Sequence, residues 1–230
     1  MAYKAQQTTL QYGDAATPEK FAALGLITSI SGPSFSNPTV DASDLDDTIR
    51  DKISSGLCDS GQVTLNVNFD ARTANTQDTV FIDRIIAGTA AGNFAINWSN
   101  VAQTTTQLTV SSVDTVANDV TTSVSHGLHT GQPIRIASST TVPAGLVAAT
   151  TYYAIYVDAD ELSFALTNAL AVAGTAIDIT GEGEGTITIT KGSKAIFPAV
   201  VTDAAPTANL GEALTGTITL DVTGAVTLTQ

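Results

Sequence analysis

Strict alternation of apolar and polar residues over two short stretches constrains the fold more than any other feature of this sequence. In residues 62–69 (QVTLNVNF) every second side chain is apolar, and in residues 217–222 Ile218, Leu220 and Val222 share one face. A period of two belongs to extended chain with one face buried, because successive side chains of a strand point to opposite sides. The alternation predicts a chain that is mainly β.

Further strand patterns flank these two stretches. Residues 27–31 (ITSIS), 94–98 (FAINW) and 194–201 (KAIFPAVV) are typical of strands. Residues 27–31 and 62–69 lie on either side of an acidic segment, which predicts a long hairpin with an elaborated loop. Residues 21–26 (FAALGL) fit either a short helical turn or the start of a strand.

The β rhythm breaks over residues 77–90. There Phe81, Ile82, Ile85 and Ile86 fall on one side at helical spacing. This pattern predicts one short amphipathic helix that flanks the β structure.

A segment of about residues 105–190 has its own strand series and its own charge. It holds eight acidic residues against one base, Arg135, hence a formal charge of −7. Strands are predicted at residues 107–110, 120–124, 134–136, 152–157, 163–166, 177–179 and 186–190. Short strands at this spacing predict a small all-β domain, a sandwich or a barrel.

The change of character predicts that residues 105–190 form a second domain inserted into the first. The first domain then consists of residues 1–104 and 191–230. Its polar and mixed beginning, residues 1–25, is predicted to form an extended arm that becomes ordered on a neighbour.

Charge is scarce in this chain and mostly negative. Hydrophobic residues make up 43%, which is typical of a globular chain, but charged residues make up only 13%, about half the usual share. The net charge of −13 repels phosphate, so it argues against gripping nucleic acid but permits a channel through which nucleic acid slides. The low charge fraction fits either a surface that meets other subunits or a solvated surface rich in Thr and Ser, and composition leaves both open.

The single cysteine, Cys58, excludes an intramolecular disulfide and is predicted to be a small buried hydrophobe. The N-terminal residues lack the apolar region of a signal peptide, and no stretch approaches the ~20 apolar residues of a membrane span. Synthesis and folding in a cytoplasm are therefore expected.

Catalytic and metal sites have little support in the sequence, and no enzyme activity or cofactor is predicted. There is no nucleophile elbow, HExxH, P-loop or CxxC motif. His126 and His129 are interpreted as polar turn residues, since a metal site needs three or four convergent ligands. Trp98 lies in a strand pattern and is predicted to pack in the core.

The acidic loop between the strand patterns of residues 27–31 and 62–69 is the one candidate site. Its residues are Asp41, Asp44, Asp46, Asp47 and Asp51. The spacing lacks the glycine and terminal glutamate of an EF-hand, so a solvated face is favoured over a calcium site.

An ordered series of segments resembles the tail tube (major tail) proteins of long-tailed, siphophage-like bacteriophages. The series is a strand ending in Gly32 and Pro33, VDASDLDD followed by Arg50, GLCDSGQVTLNVNFD (56–70), the helix, FAINW, and TGTITLDVTGAVTL (215–228). Residues 105–190 resemble a β module inserted in many phage virion proteins, through SHGL (125–128), TG (130–131), PAGL (143–146), TYY (151–153) and AGTA (173–176).

The resemblance implies a β-sandwich or half-barrel core with one flanking helix. It also implies self-assembly into six-membered rings that stack into a hollow tail tube, and genomic DNA leaves the virion through the lumen. The five aspartates would then lie near the lumen or a ring-to-ring contact, and the inserted module outside. Implied partners are further copies of the chain and the tail-tip, tape-measure and tail terminator proteins, with no membrane.

Two other functions stay open at this point. One is a capsid decoration or baseplate-associated virion protein that carries the same module. The other is a carbohydrate-binding β sandwich that attaches to host cells, which needs exposed aromatic side chains at its site.

Overall fold

The computed structural model describes residues 8–46, 48–69, 78–98, 107–210 and 212–229. Within them the chain is mainly β, which confirms the predicted fold class. It divides into two compact units. The first holds the described residues of Met1–Leu24, Gly92–Ile196 and Thr227–Gln230, and the second those of Gly25–Ala91 and Phe197–Val226.

Sixteen strands and two short α-helices are found in the described residues. The strands are β1 (Thr9–Gly13), β2 (Phe21–Ala23), β3 (Ile27–Ser31), β4 (Thr39–Asp41), β5 (Lys52–Ser54), β6 (Gln62–Asn68), β7 (Gly92–Asn97), β8 (Gln107–Asp114), β9 (Asp119–Thr122), β10 (Pro133–Ser138), β11 (Thr151–Tyr156), β12 (Glu161–Ala165), β13 (Ile187–Lys191), β14 (Lys194–Thr207), β15 (Thr215–Val222) and β16 (Thr227–Thr229). The helices are α1 (Asp83–Ala87), preceded by a π-helical stretch (Asp78–Ile82), and α2 (Asn168–Ala173).

In the first unit, β1 lies between β2 and β7 in an antiparallel sheet. Leu10 pairs with Ile96 across β1 and β7, and both side chains are buried. The structure thus differs from the predicted arm of residues 1–25, because residues 9–13 and 21–23 are paired strands with a buried apolar side. Residues 1–7 lie outside the described residues. For residues 21–26, the structure shows the strand and not the helical turn.

Strands β8 to β13, also in the first unit, close into a six-stranded barrel in the order β10-β11-β12-β9-β8-β13. Every neighbouring pair is antiparallel. Fully buried apolar side chains fill the interior, among them Val120, Ile134, Ile136, Leu162 and Phe164. Of the two predicted architectures the barrel is therefore the one observed, while the domain limits of 105 and 190 stay a prediction.

Two parts of the barrel region depart from the predictions. Residues 177–179 form no strand. The Ile177 amide donates to Phe164 O of β12, but the Ile179 amide donates to the side chain Oδ1 of Asn118 (2.7 Å), so the pairing does not continue. Helix α2 was not predicted. It begins after Thr167, whose hydroxyl accepts from the Leu170 amide, and ends at Gly174, which has the left-handed φ of 76°.

In the second unit, β3, β6, β15 and the part of β14 from Phe197 onward form an antiparallel sheet in that order. The alternation in β6 and β15 has the predicted outcome: Val63, Leu65, Ile218 and Leu220 are buried. Strands β3 and β6 pair with each other, which confirms the predicted long hairpin, and the smaller hairpin of β4 and β5 lies within its loop.

The predicted helix at residues 77–90 is present in shorter form, as the π-helical stretch followed by α1. Phe81 is fully buried, but Ile86 is 79% exposed and Ile85 is exposed as well. The single apolar face predicted for this helix is therefore wrong, because the π-helical turns rotate the later residues out of register with Phe81. Neither helix of the described chain is long and apolar enough to cross a membrane.

Candidate functional site

The acidic residues singled out by the sequence lie on the hairpin of β4 and β5. We call residues 35–57 the hairpin segment. Val40 pairs with Ile53 and Asp41 with Lys52, and the loop between the strands carries the remaining acids. Asp41, Asp44, Asp46 and Asp51 are all exposed. The fifth predicted residue, Asp47, lies outside the described residues.

Local hydrogen bonds shape this loop. Asp41 Oδ1 accepts from the Ser43 amide (3.1 Å), and the Ser43 hydroxyl accepts from the Asp51 amide (2.9 Å). The side-chain and backbone hydrogen bonds from Ser43 lower the pKa of Asp41, so its carboxylate stays charged. Arg50 Nε lies 3.8 Å from Asp41 Oδ2, but both side chains are well exposed and such a pair is weak. The loop is thus a negatively charged, solvated surface.

Apolar side chains are exposed along the same hairpin segment. They are Phe35, Val40, Leu45, Ile49, Ile53 and Leu57. Leu45 is fully exposed, and Ile49 is 82% exposed. Single exposed apolar residues are ordinary, whereas several on one small element are typical of an interaction site.

A second polar arrangement lies in the first unit and is buried. We call it the polar joint, and it consists of Gln11, Asn97, His129, Gln132 and Lys194. Lys194 Nζ donates to Gly127 O (3.1 Å) and to Gln132 Oε1 (2.8 Å), and lies 3.0 Å from His129 Nδ1. Burial, and then the neighbouring charge of Lys191, lower the pKa of Lys194 to about 8. Lys194 is thus an ammonium at neutral pH, held by three uncharged acceptors.

The imidazole of His129 continues this network. Its Nδ1 faces the Lys194 ammonium and must accept, so the ring hydrogen lies on Nε2, which is 3.4 Å from Gln11 Oε1. Burial, and then the Lys194 charge, hold the pKa of His129 well below its usual range. The Phe21 ring packs against the imidazole, with centroids 4.6 Å apart.

Gln11 connects the joint to the sheet of the first unit. Its Nε2 donates to Gly131 O (2.6 Å), and its Oε1 accepts from Asn97 Nδ2 (2.7 Å). The joint therefore holds β1 and β7 against the segment that leads into β10. With nearly every donor and acceptor already used, it is suited to fixing positions and not to binding a ligand.

Both histidines were interpreted as polar turn residues, an interpretation that did not address their burial. They lie between strands, but both are buried. His126 Nδ1 accepts from the Leu128 amide (2.9 Å) and its Nε2 lies 3.2 Å from Glu161 O. Burial lowers the pKa of His126 as well. The His126 ring thus bonds to two backbone groups, whereas the His129 ring bonds to side chains of the polar joint.

A protein-family model described as phage tail tube, TTP, lambda-like, matches residues 1–230. The chain belongs to this phage tail tube family. It is thus a structural subunit of a phage tail tube, located in the virion tail, and its family is structural and not enzymatic. No curated protein matches the chain.

Two predictions about single residues of this tail tube protein need correction or completion. Cys58, predicted to be buried, is exposed. It lies just beyond the exposed apolar residues of the hairpin segment, where the chain has no core to enter. Trp98, predicted to pack in the core, follows β7 and is only half-buried.

One end of the barrel carries a negatively charged cleft of about 600 Å³. Asp114, Asp119, Glu161 and Glu182 line it. Burial, and then repulsion from Asp114 and Asp158, raise the pKa of Asp119, and repulsion from Asp158 comes first in raising that of Glu161. Among the described residues no three His, Cys, Asp or Glu side chains converge as metal ligands.

Sequence reasoning missed Lys194, Gln132 and Gln11. Their partners are up to 120 positions away in the chain, so no local spacing marks them. Gln11 follows Leu10 in β1, and the structure buries both side chains. Two adjacent residues of a strand are both buried only when both faces of the strand are covered.

Proposed function

We propose that this tail tube subunit assembles into six-membered rings that stack into a hollow tube, and that genomic DNA passes through its acidic lumen during ejection. Copies of the chain are the main partners, and tail-tip, tape-measure and tail terminator proteins bind the ends or the interior of the tube. Synthesis takes place in the cytoplasm of the host bacterium.

The hairpin segment carries this proposal. Strands β4 and β5 pair only with each other in the described residues, and a two-stranded hairpin is marginally stable in water by itself. Its six exposed apolar side chains gain stability when a second subunit covers them, at roughly 25 cal/mol per Å² of apolar surface removed from water. This supports contact with a neighbouring copy in the same ring or the next one.

Electrostatics supports the acidic lumen. The net charge is −13, and Asp41, Asp44, Asp46 and Asp51 of the hairpin loop are exposed. A wall of the same sign as the DNA phosphates lets the genome slide without adhering. Asp41, Asp44, Asp46, Asp47 and Asp51 are therefore assigned to the lumen or to a ring-to-ring contact.

The test compares two double variants in an assembly assay. Leu45→Ser/Ile49→Ser makes the tip of the hairpin polar. Val116→Ser/Val147→Ser is the control, because both valines are exposed (91% and 62%) but belong to the barrel region. Circular dichroism and sedimentation of the monomer show first that both variants fold.

Electron microscopy and pelleting then measure tube formation. We expect the hairpin variant to lose at least about tenfold in assembly, since two buried apolar contacts are removed from every subunit interface. The control is expected to assemble as the unmodified chain does. Normal tubes from the hairpin variant would refute the role of this segment.

A further inference from the structure

Strand β2 is an edge strand of the sheet in the first unit. On one side it pairs with β1. Its other side carries the outward backbone N–H and C=O groups of an edge strand. When such groups are uncovered, any extended chain can pair with them, and unwanted association of sheets begins in this way. The barrel occupies this side.

Three outward backbone groups of β2 are satisfied by the barrel region. The Phe21 amide donates to Thr130 O (3.1 Å), and Lys20 bridges to Thr130 in parallel register. Phe21 O accepts from Asn168 Nδ2 (3.0 Å), and the Ala23 amide donates to Asn168 Oδ1 (2.7 Å). The carboxamide of Asn168 thus imitates a further strand, with one acceptor and one donor facing the edge.

The approach of the two segments is close and specific. A Cβ placed on Gly131, which has a φ of 92°, would lie 2.4 Å from Phe21 O and 2.6 Å from Asn168 Nδ2. Only glycine permits this φ without strain and this approach without a clash. Gly131 O in turn accepts from Asn168 (3.1 Å) and from Gln11 (2.6 Å), so the covering segment is itself fixed.

The barrel that supplies these groups has no edge of its own. Its six strands close on themselves, so covering β2 with the barrel does not create a new open edge. An additional strand paired with β2 would cover this edge but would itself become a new open edge.

We propose that the barrel is an edge cap, which prevents β2 from pairing with a strand of a second copy of this chain and so restricts the routes of self-association. This role does not depend on the tube geometry proposed above. The barrel is then necessary for ordered assembly, although none of its strands belongs to the hairpin segment.

The test begins with Asn168→Ala, which removes one outward acceptor and one outward donor. Hydrogen exchange of the Phe21 and Ala23 amides in the monomer is expected to become about tenfold faster, as a lost hydrogen bond makes local opening easier. The control is Asn118→Gly, which also removes one side-chain hydrogen bond, to the Ile179 amide, but inside the barrel region and away from β2. It keeps the left-handed φ that Asn118 adopts.

A second variant tests the same contact independently, in case Asn168→Ala does not fold. Gly131→Ala wedges the two segments apart at Phe21 O. Its matched control is Gly145→Ala, which has a similar positive φ and meets Asp178 O at 2.1 Å, again away from β2. We expect faster exchange at β2 from Gly131→Ala and not from Gly145→Ala.

Light scattering measures the consequence for self-association. Opening the edge is expected to give irregular aggregates at concentrations where the unmodified chain gives none. Adding Ala23→Pro removes the outward N–H of β2 and is expected to suppress them, because Pro on an edge strand blocks pairing. Unchanged exchange at β2, or faster exchange without aggregation, or aggregation that Ala23→Pro does not suppress, would each overturn the edge cap. None of these outcomes depends on whether hollow tubes form.

Discussion

Lys194 shows how a residue without any sequence motif organises a large part of the first unit. It is buried, its ammonium has three uncharged acceptors, and one of them is the ring of His129. A buried cation held only by dipoles is stabilised less than in water, and this is why its pKa falls to about 8. The folded structure tolerates the charge but does not favour it.

This arrangement predicts a pH dependence of stability. The pKa of Lys194 in the folded state lies below its ordinary value of 10.5, so the unfolded state binds this proton more tightly. Unfolding therefore costs more free energy as the pH rises. The free energy of unfolding is expected to increase between pH 8 and pH 10.5, by about 3 kcal/mol at most. Urea denaturation followed by Trp98 fluorescence measures it, since the Trp98 amide bonds to Ser193 O, next to Lys194.

The Lys194→Met variant isolates the effect of this one group. We expect it to lose the rise in stability between pH 8 and pH 10.5, while Lys52→Met, at an exposed lysine of the hairpin segment, keeps it. If both variants and the unmodified chain show the same slope, the account of Lys194 is incorrect.

At the scale of elements, the sequence predicts best those strands that have one solvent-exposed face and one buried face. Strands β6 and β15 follow the predicted alternation closely, whereas in β3 only Ile27 and Ile30 are half-buried. Helix α2 was missed because its six residues are too few for a helical period, although Thr167 and Gly174 mark its ends. The contacts of Asn168 with β2 were unpredictable for another reason, since they join residues about 145 positions apart.

The acidic loop was located in the chain from the sequence, and its role in the tube is a proposal. Its charge gives a direct prediction for DNA passage. In virions built with Asp44→Lys/Asp46→Lys subunits, we expect slower DNA release at low salt and recovery at high salt, because phosphate then adheres to the wall and salt screens the attraction. Asp158→Lys/Asp160→Lys, next to the cleft of the barrel, is the control with the same change of charge. Equal release rates in the two variants would remove the loop from the lumen.

For the whole molecule, the sequence and the structure contribute different parts of the account. The series of strands, the acidic loop and the resemblance to tail tube proteins were apparent from the residues, and the family is confirmed over the entire chain. The exposure of the hairpin segment was not predictable, because an alternating or apolar pattern does not tell whether a core or a second subunit covers it. Cys58 is an example: a residue type that is usually buried is exposed here.

Membership of the tail tube family and the exposed hairpin segment lead to one central claim. The apolar side chains of this segment become buried only when the chain assembles with copies of itself. Cryo-electron microscopy of filaments grown from the purified chain tests it most directly. We predict a hollow tube of stacked six-subunit rings, with residues 35–57 buried between subunits and the acidic loop at the lumen or between rings. Filaments without a lumen, or a tube in which the hairpin segment stays exposed on the outer surface, would contradict it.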